Sequence, residues 1–319
     1  MKKPTTLSIQ LITIITIAIL LLPAACGTED PTQTPSGALR PLTIATLPAM
    51  DSVPVFIARD MGFFEAEGLH VNIQPFFSGG DRDMAFQADN SIDGLLTDLV
   101  AINIFREGGI DIRAAVSTIG ITSVVGRSNH MEDLRGQDVL ITFNTAMEYV
   151  IDRALAHASM TMADIQPVSV PPLPTRLELL LAGSAAGAVM PEPFVSLAVD
   201  EGLVEIVSSH QLNINPFTIA FRQAVVEGYQ LELEAFYRAI NNAINFLNSA
   251  DREEFIDIII QEVGYPQHVR DTLVVPNFPR YAVPSYRHVE DVVDFAYSRG
   301  LISQQFAPEV LVADISPRS

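Results

Sequence analysis

DVLITFNTAMEYVIDRALAHA, residues 138–158, carries in one stretch the two periods that decide the fold. DVLITF (138–143) is an apolar run of strand length, closed by the polar pair Asn144 and Thr145. Beyond it Met147, Val150, Ile151, Ala154, Leu155 and Ala158 fall at i, i+3, i+4, i+7, i+8 and i+11, one continuous helical stripe. A buried strand that runs through cap residues into an amphipathic helix is half of a βαβ unit.

The same alternation extends to both sides. Strands are predicted at LTIATL (42–47), HVNIQPF (70–76), IDGLLT (92–97), DIRAAVSTI (111–119), IQPVSV (165–170), AGAVM (186–190) and VEIVSS (204–209). The C-terminal third turns helical. Leu233, Phe236, Tyr237, Ile240, Ile244 and Leu247 form one stripe, and Val289, Val292, Val293 and Ala296 another, closed by Gly300 as a C-terminal cap. An α/β class follows, and 319 residues are more than one core usually holds, so two lobes are expected. No internal repeat is convincing in the sequence.

The N-terminus reads as an address. Lys2 and Lys3 precede an apolar core, Leu11 to Leu22, which is shorter than the roughly 20 residues that span a bilayer. Ala24 and Ala25 then lead to Cys26, the single cysteine, which excludes an internal disulfide or a cysteine-based metal cluster. LPAAC resembles the lipobox of bacterial lipoproteins, with Pro23 where that pattern usually has leucine. The resemblance implies a signal peptide over 1–25, lipidation of Cys26 and a membrane-anchored, extracytoplasmic protein; ordinary signal cleavage is the alternative. Residues 26–41, rich in Pro, Thr and Gly, read as a flexible tether. Acidic residues outnumber basic ones 38 to 19, a formal charge of -19, so nucleic acid is excluded as a partner.

Motifs that carry chemistry are missing. There is no dinucleotide fingerprint, phosphate loop, H-E-x-x-H or nucleophile elbow, and the six histidines lack ligand spacing. No catalytic residue, metal or cofactor is predicted.

PVFIARDMGFFEAEGLHVNIQPF (54–76) resembles the opening of the NMT1/THI5-like family, the solute-binding proteins of ABC importers for nitrate, sulfonates, taurine and thiamine pyrimidines. SGGDRDMAFQADNSIDGLLTDLVA (78–101), EDLRGQDVLIT (132–142) and RLELLLAGSAAGAVMPEPF (176–194) continue the resemblance toward the C-terminus. It implies a type II periplasmic-binding-protein fold with two α/β lobes. The first lobe would take 42–124 and 218–319, the second 125–217, with crossings near Ile121–Val125 and Phe217–Phe221. The lobes would close on a small solute and present it to an ABC permease, as a monomer. A co-receptor for a sensor, or an enzyme on the same fold, are the alternatives.

In open α/β sheets ligands sit beyond the carboxyl ends of the strands. Those positions are Asp51 and Ser52, then Ser78, Gly79 and Gly80, then Thr97 and Asp98, then Thr118; in the second lobe they are Asn144, Thr145 and Glu192. Asp51, Ser52, Asn144 and Thr145 are also good helix caps, which alone would explain those residue types. Asp98 lies within an apolar run and needs a partner if buried. Three carboxylates, with only Arg82 and Arg176 nearby at helix starts, favour a nitrogenous, donor-rich solute such as an aminopyrimidine; a sulfonate-type anion is the alternative.

Overall fold

A computed structural model describes residues 38–317. The expected signal peptide, Cys26 and the tether as far as residue 37 lie outside the described residues. The end of the predicted tether is part of the folded body: Leu39 packs on the core, and Arg40 pairs with Asp93 at 2.5 Å and stacks on the Tyr229 ring. Among the described residues no helix is long and apolar enough to cross a membrane.

Among the described residues ten strands form two five-stranded mixed sheets. They are β1 (Leu42–Thr46), β2 (Val71–Pro75), β3 (Gly94–Asp98), β4 (Ile112–Ser117), β5 (Thr122–Gly126), β6 (Asp138–Ile141), β7 (Gln166–Ser169), β8 (Gly187–Pro191), β9 (Val204–Ser208) and β10 (Phe217–Arg222). The first sheet has the order β2-β1-β3-β10-β4, the second β7-β6-β8-β5-β9. Each is the same pattern: three parallel strands, then an antiparallel strand, then an edge strand. The repeat that the sequence does not display is therefore present in the topology.

The antiparallel members correct one expectation. Segments 121–125 and 217–221, read as the neighbourhood of the crossings, lie almost wholly within strands β5 and β10, each the first strand laid down after the chain passes to the other sheet. Their residues are buried and apolar enough to serve as central strands. The passages between sheets are 118–121 and 209–216. They run side by side, tied by Thr118 N–H to Phe217 C=O at 3.1 Å and Ser209 N–H to Thr122 C=O at 2.9 Å. The Asn215 amide adds a bond to the Thr118 carbonyl at 2.6 Å.

Helices cover both faces of each sheet. On one face of the first sheet, helices Val53–Asp60, Gln230–Ser249 and Ile256–Val263 build the largest core. The stripe predicted for Gln230–Ser249 is buried except for Tyr237, which is half-buried; Phe236, Ile240 and Ile244 are fully buried. Each such side chain contributes about 1.5–3 kcal/mol of transfer free energy. Leu99–Glu107 and Tyr286–Ser298 cover the other face. Gly300 sits at φ 70°, in the left-handed cap that ends the last helix. The second sheet is sandwiched between Ala146–His157 on one side and Leu173–Leu181 with Phe194–Asp200 on the other. Tyr149 and Val150, on Ala146–His157, are shared with the core of the first lobe.

Candidate functional site

The predicted side chains follow the carboxyl ends of strands in both sheets, and Asp98 at the end of β3 lies near the Ala146 amide that opens a helix of the second lobe. Asp51 follows β1 in a short 3-10 turn, Met50–Ser52. Its carboxylate accepts from the Thr118 hydroxyl at 3.4 Å. Burial pushes the Asp51 carboxyl above its ordinary range, and the charge of Arg82 opposes the shift. Neither Asp51 nor Ser52 makes a side-chain cap bond. Ser52 is fully buried and donates to the Leu47 carbonyl at 2.7 Å, so its hydroxyl braces the loop from within.

Ser78 caps the helix Gly79–Ala88 by accepting from Asp81 N–H at 3.1 Å. Gly79 and Gly80 form its first turn. One turn on, Arg82 is buried and reaches inward, donating to the Thr97 hydroxyl at 3.2 Å and to Asp83 at 2.8 Å. Asp98, at the end of β3, accepts from Ala101 N–H at 2.9 Å and so caps Leu99–Glu107. Burial raises the Asp98 carboxyl; the Ala101 amide, Arg82 and the Ala146 amide pull the other way. The Ala146 amide opens a helix of the second lobe, so Asp98 touches both lobes. The buried carboxylate in an apolar run is thus offset by the Ala101 N–H bond, with the Ala146 amide and the Arg82 charge also favouring its ionised form.

From the second lobe, Thr145 caps Ala146–His157 through Met147 N–H at 3.2 Å. Asn144 adopts φ 61°, a left-handed turn that asparagine tolerates, and donates its N–H to Glu148 at 2.7 Å. Its side chain is exposed. Glu192 accepts from the Ser196 N–H and hydroxyl, both at 3.1 Å, and burial raises its carboxyl.

Two tyrosines in this region carry no sequence signal. Tyr265, just beyond Ile256–Val263, has its hydroxyl close enough to Glu192 that burial and the Glu192 carboxylate both push the phenol up. Burial also pushes the Tyr281 phenol up, with a smaller push from the Asp51 charge. Both hydroxyls are buried without a hydrogen-bond partner. They come from the C-terminal third, far in sequence from the strand ends, and only the long-range packing places them. Arg176, expected near a helix start, is fully buried beneath the carboxyl ends of β6, β7 and β8. Its guanidinium donates to the carbonyls of Val170 and Val189 and to the Thr142 hydroxyl, and burial lowers its pKa to about 10.

The strand ends are acidic on balance: Asp51, Asp83 and Asp98 lie within the field of one guanidinium, Arg82, and Glu192 lies against Ser196 and Tyr265. Their free groups are acceptors and phenol hydroxyls, a lining suited to N–H donors.

The model of the NMT1-like family matches residues 37–261. Among curated proteins no sequence match is found. Solved structures share the fold. The periplasmic aliphatic sulphonate binding protein SsuA from Escherichia coli aligns with TM-score 0.72 at 17% identity, over 88% of this chain and 94% of that one. The periplasmic nitrate-binding protein NrtA from Synechocystis aligns with TM-score 0.68 at 15% identity, over 85% and 84%. The desulfurization enzyme DSZB aligns with TM-score 0.62 at 12% identity, over 86% and 96%.

Proposed function

The chain belongs to the NMT1-like family, and on that premise we propose that it is an extracytoplasmic solute-binding receptor that delivers a small molecule to an ABC permease. The observation that carries the reading is the pairing of two topologically equivalent sheets, connected along the chain by the paired passages 118–121 and 209–216, with Asp98 at the end of β3 set near the Ala146 amide of the second lobe. Such a double connection lets two lobes rock about a ligand held between them, the motion a permease can detect. The acceptor-rich lining supports a nitrogenous, donor-bearing solute over an anion. The reading further takes Asp51, Ser78, Gly79, Gly80, Thr97, Asp98, Thr118, Asn144, Thr145 and Glu192 as the strand-end surface the solute meets. Ser52 supports that surface from behind. The protein acts as a monomer anchored through Cys26.

Thermal unfolding of the purified protein against amines, amidines, aminopyrimidines, sulfonates and nitrate tests the receptor. A bound solute at a hundredfold excess over Kd adds about 2.7 kcal/mol of apparent stability. Solute recovered unchanged from the complex supports a receptor; solute consumed would place the chain with the enzyme that shares its fold. Cys26→Ser, expected to move the protein from the membrane pellet to the supernatant, tests the anchor.

A further inference from the structure

We infer that Tyr265 and Glu192 form a latch between the two lobes, the phenol hydroxyl of the first lobe donating to the carboxylate of the second when the lobes draw fully together. The inference rests on the receptor reading and assigns part of the closing free energy to the protein itself instead of to the solute.

Tyr265 belongs to the first lobe. Helix Ile256–Val263 ends at Gly264, φ 86°, in a left-handed cap, and Tyr265 N–H returns to the Ile260 carbonyl at 3.0 Å. The carbonyl of Pro266 then accepts from Val269 N–H at 3.1 Å and opens the next turn. The ring packs in the largest core and the residue is only 4% exposed. Backbone and ring are thus held, and the hydroxyl lies against Glu192.

Glu192 belongs to the second lobe, in the turn between β8 and helix Phe194–Asp200. One carboxylate oxygen accepts from the Ser196 N–H and the other from the Ser196 hydroxyl, which fixes the direction of the group. Each oxygen keeps a further lone pair free. The charge nearby is another carboxylate, Glu205, which has no proton to offer when ionised.

The donor and acceptor therefore touch, yet the Tyr265 hydroxyl is buried with no hydrogen-bond partner among the described residues. A buried hydroxyl left unpaired costs free energy. Within one lobe, side-chain packing ordinarily supplies the partner. Here the two groups sit on separate lobes, so a small rotation about the passages 118–121 and 209–216 is the movement that completes the bond. A phenol–carboxylate bond is charge-assisted and about twice as strong as a neutral one. It forms only at full closure, and it forms whatever solute the cleft holds.

The test needs no solute. Gln87→Cys and Glu178→Cys, both at exposed positions, carry spin labels on topologically equivalent helices of the two lobes, in the Cys26→Ser protein. Electron resonance measures the distance between the labels. The protein with its latch intact is expected mainly at the short distance of this arrangement, in which the pair already touches. Tyr265→Phe, which keeps the ring in the core, should move the balance toward longer distances by about tenfold, the loss of one charged hydrogen bond. Glu192→Met should do the same, and the double variant no more than either, because all three remove one bond. Unchanged distances, a shift to shorter ones, or shifts that add in the double variant overturn the latch. A phenol with a purely structural role gives the first of these, with an altered urea midpoint and labels that stay put. The solute screen decides the receptor separately: a failed latch leaves a receptor that binds, and a failed screen leaves labels that still move.

Discussion

Gly120 and Phe217 lie face to face where the two passages between the lobes run together, so closely that a Cβ on Gly120 would overlap the Phe217 ring. Gly120 belongs to the first passage and Phe217 opens β10 at the end of the second. The hinge of the proposed receptor is therefore two strands of chain packed as one layer, bonded at Thr118–Phe217 and Thr122–Ser209.

Gly120→Ala is expected to destabilise the protein by about 1–3 kcal/mol through overpacking. Phe217→Leu should recover most of that loss in the double variant, because the smaller side chain yields the space. Urea unfolding of both single variants and the double variant measures the coupling. Additive losses would mean that the two residues do not meet.

A second inter-lobe contact is fixed rather than hinged. Tyr149, on Ala146–His157, donates its hydroxyl to Asp291 on the last helix, and its ring meets Phe295 edge-on at 5.4 Å. Arg153 pairs with Asp291 at 3.1 Å and Arg299 with Asp152 at 2.6 Å. Tyr149→Phe should cost about 1 kcal/mol, and Tyr149→Ala about 3–5 kcal/mol from the cavity. The ion pairs are half-exposed and should add little. Chemical unfolding at low and high salt separates the contributions; a large salt effect in the wild type would reverse their order.

The sequence displays the strands with local signatures and hides what depends on distant partners. LTIATL and DVLITF are bounded by turn residues and read as strands; β5 and β10 have the same apolar content but enter from the other lobe, and nothing local says which sheet they join. At the site, Asp98 was legible because a carboxylate in LLTDLVA demands a partner. Arg82 was visible only as a residue near a helix start, since its contacts with Thr97 and its field on Asp51 and Asp98 come from packing. Tyr265 and Tyr281 look like ordinary aromatics until Glu192 and Asp51 are brought against them.

Arg176 is buried with no carboxylate against it, its fork held instead by backbone carbonyls and a threonine hydroxyl. Lysine keeps the charge but lacks the planar donor set that reaches Val170 and Val189 together. Arg176→Lys should therefore destabilise by roughly 3 kcal/mol, the cost of carbonyls left unpaired beside a buried ammonium. Denaturant unfolding at neutral pH checks this, and a loss below about 0.5 kcal/mol, within the range of surface substitutions, would mean that the fork is not engaged.

Asp98 and Glu192 make the stability of the cleft depend on pH in a direction opposite to that of ion-paired carboxylates. Burial, the largest influence on each, raises their folded pKa values above the ordinary 3.8 and 4.5. Below those ordinary values both groups are protonated whether folded or not, and the folded state keeps them in their comfortable neutral form. As pH rises past them the unfolded chain ionises first, so the folded state binds more protons and loses stability until its own raised pKa is passed. Glu192→Gln and Asp98→Asn remove that ionisation, and each is expected to raise the melting temperature more at pH 7 than at pH 4. Melting curves of the two variants and the wild type across that interval measure it. An equal effect at both ends would show that the carboxylates titrate at their ordinary values, hydrated in the folded protein.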